Sequence, residues 1–235
     1  DEYTLKKLSE LDGIKLINKR NGGLSSARNY GIKKSLGKYI LCLDADDWIN
    51  KKTVETMIDK MKNSNSPYIF CDVVLEGDKK GYRSKSYNFF EQLFVNHLPY
   101  FILTKRSIYY KVGYYDENMK LGYEDWEFNL RLAKKGYFPK IVKKGLFHYN
   151  VSATGMLNSL SKKNHSIIFS YIQKKHKDLY NVKSLTKIFF LWSNKNRNYH
   201  LFLYLILYLL NLILPSNMFN FIYNSLYKIK KNMIN

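Results

Sequence analysis

The chain alternates apolar, strand-like runs with segments of helical periodicity, and this alternation restricts its fold more than any other feature. Strand-like runs occupy residues 13–19, 38–43 and 66–77, and helix-like segments occupy residues 21–37 and 50–62. Such alternation is typical of an α/β domain, and a continuous apolar run is typical of a strand covered on both faces of a parallel sheet. The sequence therefore predicts the α/β class, with a mostly parallel sheet flanked by helices.

Three carboxylates, Asp44, Asp46 and Asp47, follow directly after the second apolar run. In open α/β sheets, ligands bind at the carboxyl ends of the strands, where this cluster is expected to lie. Adjacent carboxylates repel one another, so a positive group is expected among them. Two aspartates flanking one small residue suit Mg²⁺ or Mn²⁺, which accepts oxygen ligands and keeps some of its water. The alternative is that Asp46 or Asp47 only caps the following turn.

The segment "NGGLSSARN" begins with a glycine-containing loop that leads into a predicted helix, and it contains Arg28. Glycines before a helix let backbone N–H groups approach an anion, and the guanidinium of Arg28 can bind phosphate or stack on a base. The alternative is an ordinary loop with Arg28 in a surface salt bridge.

A second polar segment, "GYEDWEF", places Glu124 and Asp125 before an aromatic residue at a predicted helix N-terminus. A carboxylate at this position can act as a general base. Trp126 offers an apolar surface either to a sugar or to the core. A solvated pair of acids at the start of a helix is the alternative interpretation of Glu124 and Asp125.

The composition limits the class of protein. Lys and Arg number 39 against 19 Asp and Glu, so the formal net charge of +20 predicts an anionic partner. The two cysteines, Cys42 and Cys71, each lie in an apolar run, which indicates buried thiols in a reducing compartment rather than a disulfide framework. No Cys/His spacing suggests structural zinc.

The combination of these motifs is more specific than any one of them. The segment "NGGLSSARNYGIKKSLGKYILCLDADD", followed further along the chain by "GYYDENMKLGYEDWEFNLRLAKKGY", resembles family 2 of the inverting glycosyltransferases, which have the GT-A fold. The resemblance covers residues 1–150. It implies transfer of a sugar from a nucleotide-sugar donor, commonly a UDP-sugar, to a hydroxyl of a glycan or lipid-linked acceptor, assisted by Mn²⁺ or Mg²⁺, in bacterial surface polysaccharide synthesis.

The resemblance also implies roles for individual residues. Asp46 would ligate the metal directly, Asp44 would lie near the donor ribose or the metal-bound water, and Ala45 would lie between them in the donor site. Arg28 would contact the nucleotide. Asp125 would be the general base that takes the proton of the acceptor hydroxyl in a single in-line displacement.

Three further residues receive implied roles at the edges of the site. Glu124 and Trp126 would border the acceptor pocket. His148 falls near a further metal or pyrophosphate contact of some family members, with a core or surface histidine as the alternative.

The chain departs from the family at its beginning. Members begin with a strand, a turn, a helix and a second strand whose acidic residues hold the nucleotide base, and no such segment is present here. The resemblance therefore predicts an N-terminally truncated GT-A domain at residues 1–155 that binds nucleotide sugar poorly.

The last third of the chain, residues 156–235, is predicted to be a helical, basic and apolar extension. Residues 200–214 are its most apolar part, and Lys195, Arg197, Lys228, Lys230 and Lys231 flank them. The stretch is shorter than the roughly 20 residues that span a bilayer. It is typical of a helix lying in an anionic membrane interface, which predicts a cytoplasmic protein bound to the inner face of the cell membrane. The alternative is a helix buried against the rest of the chain or against a partner.

The sequence is compatible with two other function classes. The charge and the aromatic residues also suit a module that binds nucleic acid, but the lysines are spread along the chain and no RNA-binding motif occurs, so no nucleic-acid partner is expected. A non-catalytic relative of the transferases is the third candidate, and the presence of Asp44, Asp46 and Asp125 argues against it.

Overall fold

The structure is a computed structural model that describes residues 2–215 and 217–225. It begins with helix α1 (Glu2–Ser9), after which residues 12–23 contain no regular element. The strand predicted at residues 13–19 is therefore wrong. Ile14 and Leu16 alternate with polar residues as they would in a strand, but both are exposed, and no strand of the described residues pairs with them.

A six-stranded mixed sheet forms the centre of the structure. The strands are β1 (Tyr39–Leu41), β2 (Trp48–Ile49), β3 (Tyr68–Gly77), β4 (Gly81–Arg83), β5 (Leu103–Lys105) and β6 (Lys140–Val151). Their order in the sheet is β1-β5-β3-β6-β2, and β4 pairs with β3 outside this order.

Strand direction is where the prediction needs correction. β3 and β6 pair in parallel, whereas the other four pairs in the described sheet are antiparallel, so the sheet is mixed rather than mostly parallel. The antiparallel pairs involve short strands that form no long apolar run in the sequence, such as the two-residue β2. The long apolar run at residues 66–77 forms β3 as predicted.

Helices cover the sheet and continue as far as residue 225. They are α2 (Leu24–Lys34), α3 (Thr53–Ser64), α4 (Phe89–Gln92), α5 (Arg106–Val112), α6 (Glu124–Lys134), α7 (His165–Lys175), α8 (Lys177–Tyr180), α9 (Val182–Trp192) and α10 (Leu201–Ile213), with a π-helical turn at Leu157–Ser161. Residues 217–225 are also helical. The α/β class and the helical C-terminal segment are thus confirmed.

Two hydrophobic clusters hold these layers together. The smaller one packs Met57 and Met61 of α3 onto β3 and β6, where Phe101 and Phe147 stack with ring centroids 4.3 Å apart. The larger one joins α2, α4 and α6 to the C-terminal helices. Burial of one such large side chain stabilises the fold by about 1.5–3 kcal/mol. The C-terminal helices share this larger cluster, and the boundary predicted at residue 155 stays a prediction.

The C-terminal helices pack through one face and leave another exposed. Phe189 of α9 stacks on Tyr208 of α10 at 4.4 Å, and Tyr204 is fully buried. Among the helices of residues 2–215 and 217–225, none has the length and hydrophobicity of a membrane-spanning segment. Among the predicted flanking cations, Lys228, Lys230 and Lys231 lie outside the described residues.

Candidate active site

The turn that follows β1 fixes the three aspartates in different environments. The Asp47 backbone N–H donates to the Asp44 carbonyl at 3.2 Å and closes the turn. The Tyr100 hydroxyl accepts the Asp44 N–H at 2.9 Å and donates to Asp47 Oδ2 at 2.5 Å. The other Asp47 oxygen accepts the Asn150 N–H at 2.7 Å. Asp47 is therefore the buried anchor that ties the turn to β6, and Ala45 and Asp46 remain exposed at its tip.

Burial also affects the pKa of the Asp47 carboxyl group. Loss of solvation raises the pKa of Asp47, and the hydrogen bonds from Tyr100 and Asn150 partly offset the rise. Asp47 is thus a structural carboxylate, although it does not cap the following turn as the alternative interpretation held, because its oxygens accept hydrogen bonds from Tyr100 and from the backbone of β6.

Arg28 is the positive group beside the aspartates. It extends from α2 and donates from Nη2 to both carboxylate oxygens of Asp44, at 2.8 and 3.0 Å, and from Nη1 to Glu124 Oε1 at 2.6 Å. Its guanidinium carbon lies 4.7 Å from the centre of the Tyr100 ring. Its side chain is only 7% exposed, and its Nε, unlike its two Nη atoms, has no hydrogen-bond partner within the described residues. Its predicted contact with the nucleotide stays a prediction.

Arg28 thereby links two carboxylates from distant parts of the chain. Burial alone would lower the pKa of Arg28, but the charges of Asp44 and Glu124, together with Tyr115, raise it above its usual value. Removing one partner of a buried ion pair leaves an uncompensated charge and costs about 3–5 kcal/mol. The cation is therefore a fixed part of the fold.

The predicted base, Asp125, lies at the start of α6. Its Oδ2 accepts Asn96 Nδ2 at 3.0 Å, and its Oδ1 accepts the Trp126 N–H at 2.8 Å. Burial raises the pKa of Asp125, and the hydrogen bond from Asn96 partly opposes the rise. A carboxylate that is partly desolvated and still borders a cavity is a stronger base than a solvated one.

Glu124 and Trp126, the two residues predicted to border the acceptor, point into the protein. Glu124 is 4% exposed; burial and the neighbouring Asp125 raise its pKa to about 7, against the attraction of Arg28. The Trp126 ring stacks with Phe169 at 5.6 Å, and its Nε1 donates to the Gln92 carbonyl at 2.7 Å. Of the two interpretations of Trp126, the structure favours the core residue, since its side chain is only 1% exposed although it belongs to the lining of a cavity that also contains Asp125.

His148 does not join Asp44 and Asp46. Side chains alternate along a strand, so His148 lies on the opposite face of β6 from Phe147 and Tyr149. Its ring stacks on Trp48 at 5.2 Å, and its nitrogens lie 3.3 Å from Glu76 Oε1 and 3.2 Å from Asn50 Oδ1. The suggestion that His148 is a metal ligand is therefore corrected: it is a half-buried residue on the other side of the sheet.

Two adjacent cavities meet at these residues. The larger, about 950 Å³, is bordered by Asp44, Ala45 and Asp46. The smaller, about 360 Å³, is bordered by Glu124 and Asp125. A shared set of side chains borders both cavities and defines their junction; it includes Arg28, Asp44, Arg83, Tyr149 and Lys162.

Comparison with known proteins assigns the family. The model of the family described as Glycosyl transferase family 2 matches residues 1–127, more than half of the chain. The chain belongs to this family. Its predicted α/β GT-A class is thereby confirmed.

Individual relatives support the assignment. The Bacillus subtilis (strain 168) minor teichoic acid biosynthesis protein GgaB is 32% identical over 175 residues, covering 67% of this chain and 19% of GgaB. The uncharacterized glycosyltransferase YwdF of the same organism is 28% identical over 131 residues, covering 52% of this chain and 48% of YwdF. The chain thus matches less than half the length of each of these relatives.

A solved structure shares the fold. Residues 1–349 of S. aureus TarS, crystallised in complex with UDP-GlcNAc, superpose with a TM-score of 0.53 at 15% identity, covering 84% of this chain and 63% of that one. At this level of identity the similarity concerns the fold alone.

The carboxylate oxygens of Asp44 and Asp46 in the turn suit a divalent cation that takes few ligands from the protein. Among the described residues, no group of three or more His, Cys, Asp or Glu side chains could hold a metal ion. Asp46 is exposed and makes no hydrogen bond within the described part of the chain, and Asp44 keeps free lone pairs beside Arg28. Mg²⁺ is bound in just this way in many sites, through one or two carboxylates together with water and substrate phosphates.

Several residues of the site had no predicted role. Tyr100 orders the aspartate turn, Asn96 orients Asp125, and Arg83 borders both cavities. All three lie in the irregular or short elements between β3 and β5. The aromatic-rich segment around Asn96 and Tyr100 was a signal of buried structure, but nothing local distinguishes these residues from their neighbours.

Proposed function

We propose that this chain carries the catalytic site of an inverting, metal-assisted glycosyltransferase that uses a nucleotide sugar. The observation that carries the proposal is the adjacency of two cavities, with Asp46 and Asp44 at the larger one and Asp125 at the smaller one. The donor would occupy the larger cavity, and the acceptor hydroxyl would approach Asp125 from the smaller. The crystallised complex of the fold relative TarS with UDP-GlcNAc supports a UDP-sugar as donor.

The arrangement suits a single displacement. Asp125, held by Asn96, takes the proton of the attacking hydroxyl. One such base is sufficient because no covalent sugar–enzyme intermediate is formed, unlike the paired carboxylates of most glycosidases. Asp44 and Asp46 would hold Mn²⁺ or Mg²⁺, which supplies positive charge to offset the charge that develops on the diphosphate leaving group.

Arg28 contributes to the proposed reaction by positioning other residues. It fixes Asp44 of the donor cavity and Glu124 of the acceptor cavity in one hydrogen-bonded unit, so the two binding regions keep their relative geometry. A misplacement of about 1 Å at such a site can cost roughly 100-fold in rate.

The acceptor and the location are further parts of the proposal. The name of GgaB supports a role in the synthesis of a cell-surface polymer, which gives a glycan or lipid-linked acceptor at the inner face of the cell membrane. Two features of the C-terminal helices support contact with an anionic membrane. No Asp or Glu follows Asp178 in the sequence, and exposed lysines accompany an exposed apolar face of α10.

The division of roles between the carboxylates can be tested with three variants that each remove one negative charge. We expect Asp46→Asn to weaken Mn²⁺-dependent binding of UDP-GlcNAc by at least about 10-fold, because an amide is a poorer cation ligand. We expect Asp125→Asn to keep donor binding and to lower the transfer rate by roughly 100- to 10,000-fold, because it removes the base. Asp59→Asn, at an exposed site on α3, is the control.

The measurements are isothermal titration of UDP-GlcNAc with Mn²⁺ or with EDTA, and release of UDP from a panel of nucleotide sugars with teichoic acid and glycolipid acceptors. An equal loss of donor binding in Asp46→Asn and Asp125→Asn would contradict the assignment. So would transfer at an undiminished rate in EDTA.

A further inference from the structure

Cationic side chains border the larger cavity together with the carboxylates. Lys79, Arg83 and Lys162 belong to its lining, and Arg83 and Lys162 also border the smaller cavity. Lys162 donates to Asn158 Oδ1 at 2.7 Å, which orients it within the π-helical turn region. The proposed mechanism uses none of these three charges.

Arg83 points into the site because of its register in the sheet. It pairs with Val73 across the β3–β4 hairpin, and Val73 in turn pairs with Phe147 of β6. Directly paired residues share one face of a sheet, so Arg83 lies on the face of Phe147 and Tyr149, which border the cavities. Lys79 comes from the turn of the same hairpin.

The end of β6 fixes this hairpin in place. The Asp78 N–H donates to the Val151 carbonyl at 2.9 Å, and Asp78 Oδ2 accepts the Ala153 N–H at 2.8 Å. Lys79 and Arg83 are therefore attached to a fixed turn rather than to a free loop.

The guanidinium of Arg83 differs from the other arginine side chains packed against the fold. Arg28 is paired with two carboxylates, Arg131 with Glu127 and two carbonyls, and Arg106 with the Ser35 carbonyl. The Arg83 side chain makes no hydrogen bond or ion pair within the described residues 2–215 and 217–225, and the residue is half-buried. Burial lowers its pKa, and only the more distant charges of Tyr149 and Asp125 oppose that change.

A partly desolvated cation with no counter-ion is energetically unfavourable, so the site favours an incoming anion. The guanidinium presents a planar fork of N–H donors that matches the oxygens of a phosphate group. We propose that Arg83, with Lys79 of the same hairpin, binds a phosphate group of the substrate at the junction of the two cavities.

The identity of this phosphate rests on the proposed function, which offers two sources. One is the diphosphate of the nucleotide sugar, whose charge increases as the sugar leaves. The other is a phosphate group of the acceptor, held beside Asp125 while the neighbouring hydroxyl attacks. In both cases Arg83 binds phosphate oxygens without metal.

Binding of two small anions to the full chain in EDTA tests the proposal without any sugar transfer. Inorganic pyrophosphate represents the donor source and glycerol 1-phosphate the acceptor source, each measured by isothermal titration. We expect Arg83→Gln to weaken at least one of them by about 10-fold or more, as expected for a charge-assisted hydrogen bond. Arg83→Lys should lie in between, since it keeps the charge and loses the fork.

Lys79 and Lys80 provide a matched pair, since they are adjacent in one turn and only Lys79 borders the cavity. Lys79→Gln should weaken anion binding by more than Lys80→Gln, although both remove one charge. Weaker pyrophosphate binding in Arg83→Gln supports the donor source, and a loss confined to glycerol 1-phosphate supports the acceptor source. Equal effects of Arg83→Gln and Lys80→Gln, or no effect of either, would overturn the proposal. These outcomes are independent of Asp46 and Asp125, on which the proposed transfer depends.

Discussion

Environment determines what each acidic residue of this site can do. Of the three aspartates in the turn, Asp47 accepts hydrogen bonds from Tyr100 and from the Asn150 N–H, Asp44 is paired with Arg28, and only Asp46 has no hydrogen bond or ion pair within the described residues. Three aspartates within four positions therefore have different roles: Asp47 anchors the turn, Asp44 binds Arg28, and Asp46 is free to bind a ligand. At the start of α6, hydrogen-bond partners likewise distinguish two adjacent acids: buried Glu124 is paired with Arg28, whereas Asp125 is held by Asn96.

Glu124 should make stability depend on pH in a definite direction. Its pKa is about 7 in the folded chain and about 4.3 in an unfolded one, so between these values the folded chain binds more protons. The free energy of unfolding therefore falls as pH rises through this window. We expect Glu124→Gln to make that slope shallower, measured by urea unfolding at a series of pH values.

Glu127, three residues further along α6, is the control because its shift has the opposite sign. Burial would raise its pKa, but hydrogen bonds and charges from His176 and Arg131 lower it to about 2. Its contribution is complete above about pH 4.5 and is lost at lower pH. Glu127→Gln should thus leave the slope between pH 5 and 7 unchanged. An identical slope in the wild type and in Glu124→Gln would show that Glu124 is ionised throughout.

At the scale of elements, the turn before α6 decides where Glu124 and Asp125 lie. Gly122 has a φ of 103°, and Tyr123 follows in the left-handed region at 62°. A Cβ added at Gly122 would collide with the Ser161 side chain, which belongs to the π-helical turn. The close approach of this turn to the start of α6 forms one wall of the smaller cavity.

Replacing Gly122 by alanine should therefore destabilise the protein and displace Asp125. Gly136, just after the end of α6, also has a positive φ of 74°, but a Cβ there would meet nothing within 4 Å. We expect Gly136→Ala to cost about 1 kcal/mol for backbone strain alone. Gly122→Ala should cost roughly 1–3 kcal/mol more, because overpacking is added.

Urea unfolding measures the loss in free energy of unfolding for each variant. Combining Gly122→Ala with Ser161→Gly should recover part of the loss caused by Gly122→Ala. Equal costs for Gly122→Ala and Gly136→Ala would mean that Ser161 moves aside freely.

How far the sequence predicts these elements depends on whether the signal is local. Helix α6 follows from its strong helix formers and from the Glu127–Arg131 pair, which the structure confirms at 2.9 Å. Strand β3 follows from its apolar run. Residues 13–19 carry a strand pattern without a pairing partner, and a pattern in one segment contains no information about its neighbour.

In the candidate site, too, residues with a local sequence signal could be predicted, whereas residues placed by strand pairing could not. The carboxylates stand out because acids are scarce, and because Asp44, Asp46 and Asp47 follow an apolar run while Glu124 and Asp125 precede an aromatic residue at a predicted helix N-terminus. The position of His148 could not be derived from sequence alone, because it depends on the pairing of β6 with β3 and on the register shifts near Asp72. Arg83 is one cation among 39, and only its place in the sheet distinguishes it.

For the molecule as a whole, charge and exposed apolar surface coincide at the C-terminal helices. Phe202, Leu205, Leu209 and Ile213 are spaced along one face of α10, and they are between 40% and 73% exposed. Four exposed cations lie on or beside α9; they are Lys183, Lys187, Lys195 and Arg197. An apolar face flanked by cations, with no acidic residue nearby in sequence, complements the headgroups and acyl chains of an anionic bilayer.

We therefore expect the protein to bind vesicles that contain phosphatidylglycerol and to bind phosphatidylcholine vesicles far more weakly, as measured by co-sedimentation. Phe202→Ser combined with Ile213→Ser should lower binding by about 10-fold or more, because burial of each side chain contributes about 1.5–3 kcal/mol. Raising the ionic strength should weaken binding as well, since exposed charges are screened.

The apolar variants are the decisive part of this experiment. A chain of net charge +20 attracts any anionic surface, so binding to phosphatidylglycerol alone does not locate the contact. Phe202→Ser with Ile213→Ser changes no charge and tests only the exposed face of α10. Leu36→Ser with Tyr110→Ser removes two side chains of similar exposure on other parts of the surface and should leave binding unchanged. If both double variants bind vesicles as the wild type does, the attraction is a property of the overall charge and the face of α10 has another partner.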